Sequence, residues 1–368
     1  MRIPLSAPDI TEEEIRAVAD VLRTPSLSLG PKLKEFEETL ARYIGVSHAV
    51  AVSSGTAALH LCVRALGISD GHEVIMPSFT FIAVANAVRY ERATPVFVDI
   101  EERTFNLDPD LIEAAITPRT RAIIVVHTFG VPADLDRIIQ IARKHRLLVI
   151  EDACEAIGAE YRGSKVGTFG DVAVFAFFPN KQITTGEGGA VVTNDAEIAD
   201  KIRKLRNQGK DDSGAWLQHS DVGYNYRLSE ISCALGIEQL KRIDSILERR
   251  ASVAREYYQH LSGITGLTRP TLAFSDRKVS WFVYVVWLNP NFGQLERDSI
   301  VTEMQAHGIG LGRYFGPIHL QPAYRYLPFR TPLPLTESVA QRSIALPFFN
   351  RISVEQIREV CSALSPRT

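Results

Sequence analysis

The sequence has few of the features that mark membrane, secreted and disulfide-rich proteins. Its 368 residues include only four cysteines, which lie far apart and form no CxxC pair. Scattered thiols of this kind favour a reduced, cytoplasmic protein over a disulfide scaffold. No apolar run approaches the ~18 residues that a bilayer span needs. The opening segment has no basic region followed by an apolar stretch, so a signal peptide is not expected.

An excess of charge of one sign is also missing. The chain carries 41 Lys and Arg against 43 Asp and Glu, a net charge of −2. No strong field is therefore expected to attract nucleic acid or an anionic membrane. The nine histidines show no HxxH or HExxH spacing, so a zinc site is not expected. With 45% hydrophobic residues, the composition is typical of a folded globular protein and favours an enzyme.

Apolar β-branched runs alternate with helical stretches along the first half of the chain. Thr11 and Glu14 form a capping box that predicts a first helix. The alternation predicts a mostly parallel seven-stranded sheet covered by helices on both faces, an α/β fold. The predicted strands are His48–Val52, Glu73–Met76, Pro95–Asp99, Ala122–His127, Leu147–Glu151, Val172–Phe178 and Ala190–Thr193. The predicted helices between them include Ala57–Leu66, Ile82–Tyr90, Asp110–Ile116 and Leu135–His145.

The alternation stops near residue 195, where the pattern changes. Ala196–Gln208 and Ser229–Glu248 are predicted as long helices, followed by helices with isolated strands such as Trp281–Leu288. We therefore expect a large α/β domain over residues 1–245 and a smaller α+β domain over 246–368. In open α/β sheets, ligands bind at the carboxyl ends of the strands.

Two predicted strand ends carry residues suited to a charged ligand. After the first strand, Ser53-Ser54-Gly55-Thr56-Ala57 turns into a helix, and free N–H groups at a helix start suit a phosphate. An ordinary capped strand–helix turn explains the same residues. After the strand at 147–151, Glu151 and Asp152 could pair with a cationic ring nitrogen or bind a metal, or could cap a helix.

A third strand end carries a lysine followed by glycines. Lys181 comes soon after the buried strand at 172–178 and precedes Thr184-Thr185-Gly186-Glu187-Gly188-Gly189. Most lysines are solvated, but apolar neighbours would lower the pKa of this amine, as a Schiff-base lysine requires. A phosphate turn, an acid and a lysine together match the needs of pyridoxal 5′-phosphate (PLP).

The chain resembles the DegT/DnrJ/EryC1/StrS sugar aminotransferases over nearly its whole length. The motifs that carry the resemblance are, in the family's order, SSGTAALHL, PSFTFIAVANAV, EDACEAIGA, GTFGDVAVF, NKQITTGEGG, GYNYRLSEISCALG, PIHLQP and ALPFFN. The resemblance implies the aspartate-aminotransferase fold, which is fold type I of the PLP-dependent enzymes.

The resemblance also implies roles for individual residues. By position, Lys181 resembles the lysine that binds PLP covalently, and Asp152 resembles the partner of the ring nitrogen. Gly55, Thr56 and Ala57 resemble the phosphate turn, and Phe81 lies where the family stacks an aromatic ring on the cofactor. Asn225 lies where a neighbouring subunit usually reaches the phosphate, which implies a homodimer with shared active sites.

The chain departs from the family pattern at two positions. Glu155 stands where a His or Gln often contacts the ring hydroxyl of the cofactor. A carboxylate beside a phenolate is repelled, so Glu155 is expected to be protonated, turned away or bridged by water. Ala176 stands where a Ser often binds the phosphate, so one phosphate contact must come from elsewhere.

The function that the resemblance implies is transfer of an amino group from L-glutamate to a nucleotide-linked keto-sugar. A sugar dehydratase on the same scaffold is an alternative, but that branch replaces the lysine by histidine. A non-catalytic regulatory relative is a second alternative, and such a protein is expected to lose Lys181 or Asp152. The nature of the sugar, the nucleotide and the aminated carbon (C3 or C4) stay open.

Three other segments are of lower interest. Gly308-Ile309-Gly310-Leu311-Gly312 is predicted to be a flexible loop rather than a dinucleotide motif. His319 and Tyr314 lie near the active-site edge in the family, where a structural role and a substrate role are equally expected. The charged run Leu247–Arg250 is predicted to be a solvated helix face.

Overall fold

A seven-stranded sheet forms the centre of the larger part of the molecule. The computed structural model describes residues 1–210, 218–327 and 330–367. In this sheet the strand order is β1-β9-β8-β5-β4-β2-β3. Strand β9 is antiparallel to both of its neighbours, and the other six strands are parallel. The predicted seven-stranded, mostly parallel α/β fold is confirmed.

Strands and helices alternate along the first half of the chain, and helices dominate the second half. The strands are β1 His48–Val52, β2 Glu73–Pro77, β3 Thr94–Val98, β4 Thr120–Val126, β5 Leu148–Asp152, β6 Glu160–Tyr161, β7 Ser164–Lys165, β8 Val172–Ala176, β9 Gly189–Thr193, β10 Leu267–Thr268, β11 Arg277–Lys278, β12 Tyr284–Leu288 and β13 Ser343–Leu346. The helices are α1 Glu12–Leu22, α2 Pro31–Ile44, α3 Gly55–Ala65, α4 Ala83–Tyr90, α5 Pro109–Ala115, α6 Leu135–His145, α7 Ala196–Arg206, α8 Glu230–Lys241, α9 Ile243–His260, α10 Gln294–Ala306, α11 Pro334–Arg342 and α12 Val354–Leu364.

The predicted strands of the large sheet agree with the observed strands to within about two residues. The agreement follows from burial, because strands covered on both faces are continuous apolar runs. One difference matters for the site. Strand β8 ends at Ala176 instead of Phe178, so the chain leaves the sheet early and the Phe178 side chain is partly exposed.

The helices also agree, with one correction. The capping box of Thr11 and Glu14 begins helix α1 as predicted. The single helix predicted over Ser229–Glu248 is wrong, because α8 and α9 are separate helices that meet at Arg242. The Arg242 guanidinium donates to the Asp9 carbonyl and to Glu14 Oε1. Apolar spacing continues across this junction, so periodicity alone does not reveal it.

A second, smaller sheet lies in the C-terminal part of the chain. It has the order β10-β12-β13 and is antiparallel. Its core includes Ile3 from the N-terminus together with residues of α9 and α12. Helix α9 runs through the domain boundary expected at residue 245. The predicted strand Trp281–Leu288 begins only at Tyr284.

Two of the lesser predictions are wrong. Arg250 is not on a solvated face but is 2% exposed, and its guanidinium donates to the carbonyls of Trp281 and Phe282, both at 2.6 Å. The exposed run is limited to Glu248 and Arg249. The segment at 308–312 is not a flexible loop, because Ile309 pairs with Ile3 and Gly312 pairs with Ala345 as β-bridges.

No helix within the described ranges combines the length and the apolar character that a membrane crossing requires.

Candidate active site

A cleft of about 290 Å³ opens where the parallel strands end. The carboxyl ends of β1, β5 and β8 meet at this edge of the sheet, and residues from the C-terminal part close the other side. The residues that line the cleft are Ser54, Gly55, Thr56, Leu59, Thr80, Phe81, Ala83, Val126, Asp152, Cys154, Glu155, Ala176, Phe178, Asn180, Lys181, Glu187, Gly188, Phe282, Tyr314 and Phe315. The three strand ends singled out from the sequence therefore contribute to one site.

The turn between β1 and α3 forms one wall of the cleft. Ser54 caps α3 by accepting the N–H of Ala57 at 3.1 Å. The N–H groups of Gly55 and Thr56 are in the first turn and have no partner within the helix. Gly55 and Thr56 thus offer N–H groups to an anion, whereas the Ala57 N–H is already engaged by Ser54.

Two glycines let the backbone segments around this turn approach closely. A β-carbon at Gly189 would lie 2.5 Å from the carbonyl carbon of Ser54, and one at Gly55 would lie 2.7 Å from the Ala176 side chain. These distances are far below ordinary contact distances. Ala176 therefore packs tightly against the predicted phosphate turn.

The two acids at the end of β5 have different surroundings. Glu151 is fully buried and accepts hydrogen bonds from the N–H groups of Gly167, Phe169 and Gly170 at 2.7–2.8 Å. Its carboxylate therefore stabilises the turn at 167–170. Asp152 lines the cleft, and its Oδ1 accepts the Cys154 N–H at 3.1 Å. The chain continues from Asp152 through turns to β6, so the alternative that Asp152 caps a helix is wrong.

Lys181 projects into the cleft from the segment after β8. Its Nζ lies 4.0 Å from the centre of the Phe282 ring and 3.7 Å from Glu155 Oε1. The side chain is 14% exposed. An amine in this position is accessible from the cleft yet surrounded mainly by protein.

Glu155 also lines the cleft, and its side chain is buried. Its Oε2 accepts the Phe129 N–H at 2.9 Å, and its Oε1 faces Lys181. Burial, supported by the nearby charge of Asp152, raises the pKa of Glu155, while Lys181 and the Phe129 N–H oppose this rise.

Two residues named from the resemblance lie in different places. Phe81 lines the cleft and is 60% exposed. Asn225 is exposed and is not among the residues that line the cleft of its own chain. It pairs through a β-bridge with Asn207.

Several cleft residues were missed in the sequence or were left undecided. No sequence pattern marked Phe282 as a site residue, because it precedes a strand in the distant C-terminal part and contacts Lys181 only through tertiary packing. Asn180, next to Lys181, has a buried Oδ1 without a hydrogen-bond partner among the described residues. Tyr314 lines the cleft. His319 is buried and is not among the residues that line the cleft, and its Nδ1 lies 2.7 Å from Ser78 Oγ.

The sequence profile of the DegT/DnrJ/EryC1/StrS aminotransferases matches residues 8–365. The chain belongs to this family. It is 44% identical over 365 residues to the GDP-perosamine synthase of Caulobacter vibrioides, a match that covers 99% of this chain and 97% of that protein. The fold-type-I assignment and the dependence on PLP follow from the family.

Solved structures agree with this assignment. Spr1654 of Streptococcus pneumoniae, assigned as a sugar aminotransferase, superposes in its PMP form with a TM-score of 0.95 at 30% identity, covering 100% of this chain and 98% of that chain. PseC of Helicobacter pylori, an aminotransferase of pseudoaminic acid biosynthesis, superposes with a TM-score of 0.95 at 30% identity, covering 100% and 99%.

The residues of the cleft fit the cofactor of the family. The Gly55–Thr56 turn offers N–H groups for a phosphate, and Asp152 and Lys181 line the same cleft. The buried Asn180 Oδ1 has no hydrogen-bond partner among the described residues, so the cleft offers an acceptor to a bound group. No group of three or more His, Cys, Asp or Glu within the described ranges could hold a metal ion.

Proposed function

We propose that this enzyme transfers an amino group from L-glutamate to the keto group of a nucleotide-linked sugar. The observation that carries the proposal is the single cleft shared by Lys181, Asp152 and the Gly55–Thr56 turn. The similarity to a GDP-perosamine synthase supports a nucleotide-linked sugar as acceptor. The presence of both Lys181 and Asp152 argues against the dehydratase and the regulatory alternatives.

The cleft residues named from the family resemblance have distinct tasks in this proposal. PLP, when bound, accepts the electrons that remain as a proton leaves the substrate carbon. Lys181 is its covalent attachment point, and the freed Lys181 amine takes the proton from the α-carbon of the donor. Asp152 keeps the pyridine nitrogen protonated. Phe81 stacks on the ring, and the N–H groups of Gly55 and Thr56 bind the phosphate.

The assignment of Lys181 is tested by chemical trapping. Borohydride reduction of the loaded enzyme is expected to fix the cofactor to one peptide, the one that contains Lys181. A labelled peptide that lacks Lys181 would refute the assignment. Asp152→Asn is expected to preserve the fold and lower turnover sharply, because an uncharged pyridine is a poor electron sink.

The donor is tested separately in the first half of the reaction. Mixing the PLP-loaded enzyme with L-glutamate is expected to convert its absorption to that of the pyridoxamine (PMP) form, with 2-oxoglutarate released in equal amount. L-aspartate and L-alanine serve as comparison donors. Conversion by one of these and not by glutamate would overturn the choice of donor while leaving the aminotransferase assignment intact.

We further propose a homodimer in which Asn225 of one chain reaches the phosphate site of the other. Asn225 is exposed and outside its own cleft, and the side chains of Val222 and Tyr90 are 75% and 54% exposed. Exposed aromatic and apolar residues of this kind are enriched at subunit interfaces. A two-fold dimer places two equivalent sites at the interface.

Complementation tests the shared site. Lys181→Ala and Asn225→Asp are each expected to be inactive, the second because a carboxylate repels phosphate. After subunit exchange, each mixed dimer holds one site with both defects and one with neither, so activity is expected in about one quarter of all sites. Proven exchange without recovered activity would contradict the shared site.

A further inference from the structure

Two tyrosines flank Asn225 and lie on the opposite face of the chain. Asn225 pairs with Asn207 as a β-bridge, and successive side chains of an extended segment point to opposite faces. Tyr224 and Tyr226 are half-buried, with ring centres 5.0 Å apart and ring planes at 11°, whereas Asn225 is exposed. The two tyrosines therefore face the protein while Asn225 faces outward.

A buried histidine and a buried glutamate contact the hydroxyl groups of both tyrosines. The Tyr224 hydroxyl donates to Glu91 Oε1 at 3.2 Å, and the Tyr226 hydroxyl lies 3.2 Å from His60 Nδ1. His60 Nε2 lies 2.9 Å from the same Glu91 oxygen, and the two side chains are 5% and 7% exposed. A neutral His60 satisfies both of its contacts when Nε2–H donates to Glu91 and Nδ1 accepts the Tyr226 hydroxyl.

Glu91 also connects this cluster to helix α3. Its Oε2 accepts a hydrogen bond from Arg64 at 3.0 Å, and both His60 and Arg64 lie on α3. Burial would raise the pKa of Glu91, but the hydrogen bonds from His60 and Arg64 hold this pKa below the ordinary value. Tyr224 therefore donates to a charged carboxylate, and such a hydrogen bond is stronger than one to a neutral acceptor.

Backbone hydrogen bonds hold the same segment at a different level. The Ser53 N–H donates to the Tyr226 carbonyl and the Gln208 N–H donates to the Tyr224 carbonyl, both at 2.8 Å. These bonds fix the position of the backbone. The tyrosine hydroxyls lie at the far ends of their side chains, so their hydrogen bonds additionally restrain the twist of the segment.

We propose that Glu91 and His60 are positioning residues for Asn225. Through the hydroxyls of Tyr224 and Tyr226, they hold Asn225 in the orientation that reaches the phosphate site of the partner subunit. The inference rests on the proposed function, in particular on the shared site of the homodimer. Neither Glu91 nor His60 is among the residues that line the cleft of its own chain, so each acts on a bound cofactor only through another residue.

The first test compares two ligands that differ only in the phosphate. The full-length, cofactor-free enzyme is titrated with PLP and with pyridoxal, which lacks the phosphate. Tyr224→Phe/Tyr226→Phe removes both hydroxyls and keeps both rings. Its Kd for PLP is expected to rise about threefold to tenfold, because part of one hydrogen bond to a charged group is lost. Its Kd for pyridoxal is expected to be unchanged, and Glu91→Gln is expected to act in the same direction.

Tyr258→Phe is the matched control for these variants. Tyr258 lies on α9, and its ring packs under the Arg269 guanidinium at 4.0 Å. Removal of its hydroxyl is expected to leave both Kd values unchanged. Circular dichroism identifies any variant that does not fold, and the single variants Tyr224→Phe and Tyr226→Phe replace the double variant if it fails.

The second test uses mixed dimers, isolated with two affinity tags, to show which site is affected. In the first mixture, a chain with Lys181→Ala and both Phe substitutions is paired with an unmodified chain. The site that retains Lys181 then receives Asn225 from the altered chain. In the second mixture, Lys181→Ala and the two Phe substitutions are on different chains, so that site receives Asn225 from a chain with both hydroxyls. Weaker PLP binding at Lys181, followed by absorption, is expected in the first mixture only.

The outcomes separate positioning across the dimer from a structural role. An equal rise in the Kd values for PLP and pyridoxal would mean that the cluster only stabilises the fold. Weaker binding in the second mixture would mean that the cluster acts through α3 on its own site. Either result would overturn the inference, as would an unchanged Kd for PLP in the variants or an unaffected first mixture.

Asn225→Ala distinguishes a failure of this inference from a failure of the shared site. If Asn225→Ala raises the Kd for PLP and the cluster variants do not, the shared site stands and only the positioning role is wrong. If Asn225→Ala leaves the Kd values for PLP and pyridoxal unchanged, the shared site is wrong and the positioning role with it. If both proposals hold, adding Glu91→Gln to Asn225→Ala is expected to raise the Kd for PLP no further.

Discussion

Substitution of Gly189 by alanine tests how closely the phosphate turn is packed. A β-carbon at this position would lie 2.5 Å from both the carbonyl carbon and the carbonyl oxygen of Ser54, and 2.6 Å from the nitrogen of Gly55. Non-bonded carbon atoms normally approach to about 3.5–4.0 Å. The contacts are with backbone atoms, which cannot rotate away, so the turn must move by about 1 Å.

This movement is expected to affect binding of the cofactor more than the fold. Overpacking of this kind typically costs about 1–3 kcal/mol of stability. Displacing the Gly55 and Thr56 N–H groups weakens hydrogen bonds to an anion that are worth about 1.5–3 kcal/mol each. Partial loss of two such bonds corresponds to an increase of about tenfold to a hundredfold in the Kd for PLP.

The assay is a titration of the cofactor-free enzyme with PLP, followed by the change in absorption, with guanidinium unfolding as a measure of stability. Gly263→Ala is the matched control, because a β-carbon there meets nothing within 4 Å. Equal Kd values for Gly189→Ala, Gly263→Ala and the unmodified enzyme would refute the view that Gly189 shapes the phosphate site.

Two further substitutions probe buried polar groups around the site. Glu151→Gln is expected to cost about 3 kcal/mol, measured against exposed Glu12→Gln. Burial alone would raise the pKa of Glu151, but His127 and the hydrogen bonds to the carboxylate hold this pKa below the ordinary value. The ionised carboxylate therefore stabilises the fold above pH ~4.3, and the stability difference between the unmodified enzyme and Glu151→Gln is lost as the pH falls further. A stability difference that grows in acid would contradict this prediction. Arg250→Met leaves two buried carbonyls without donors and is expected to lower the free energy of unfolding by about 3 kcal/mol. An effect no larger than that of exposed Arg255→Met would contradict the view that Arg250 stabilises the fold through these carbonyls.

The sequence predicted the sheet well because burial on both faces produces continuous apolar runs that end close to the true strand ends. The sequence also predicted that Asp152 and Lys181 lie at the same edge of the sheet, because the carboxyl ends of parallel strands share one edge. Periodicity could not choose between Glu151 and Asp152, because both acids end the same strand. Their different roles depend on which face each side chain takes and on the turn at 167–170.

Features that depend on distant parts of the chain were not predictable. Arg250 was expected in solvent because arginine is rarely buried, and only the packed C-terminal part supplies its carbonyl acceptors. Phe282 approaches Lys181 from a segment about a hundred residues away in the chain, and no local pattern marks such a contact. The break at Arg242 falls within continuous apolar spacing and depends on contacts with the N-terminal segment.

The central claim is that the amino group passes to a nucleotide-linked keto-sugar. The most direct measurement loads the enzyme with PMP and mixes it with single keto-sugars linked to GDP, UDP or TDP, without any amino-acid donor. One of them is expected to restore the PLP absorption in a single turnover, with an equal amount of amino-sugar detected by mass spectrometry and with no restoration in Lys181→Ala. Failure of every nucleotide-linked keto-sugar, together with rapid restoration by simple 2-oxo acids alone, would contradict the account.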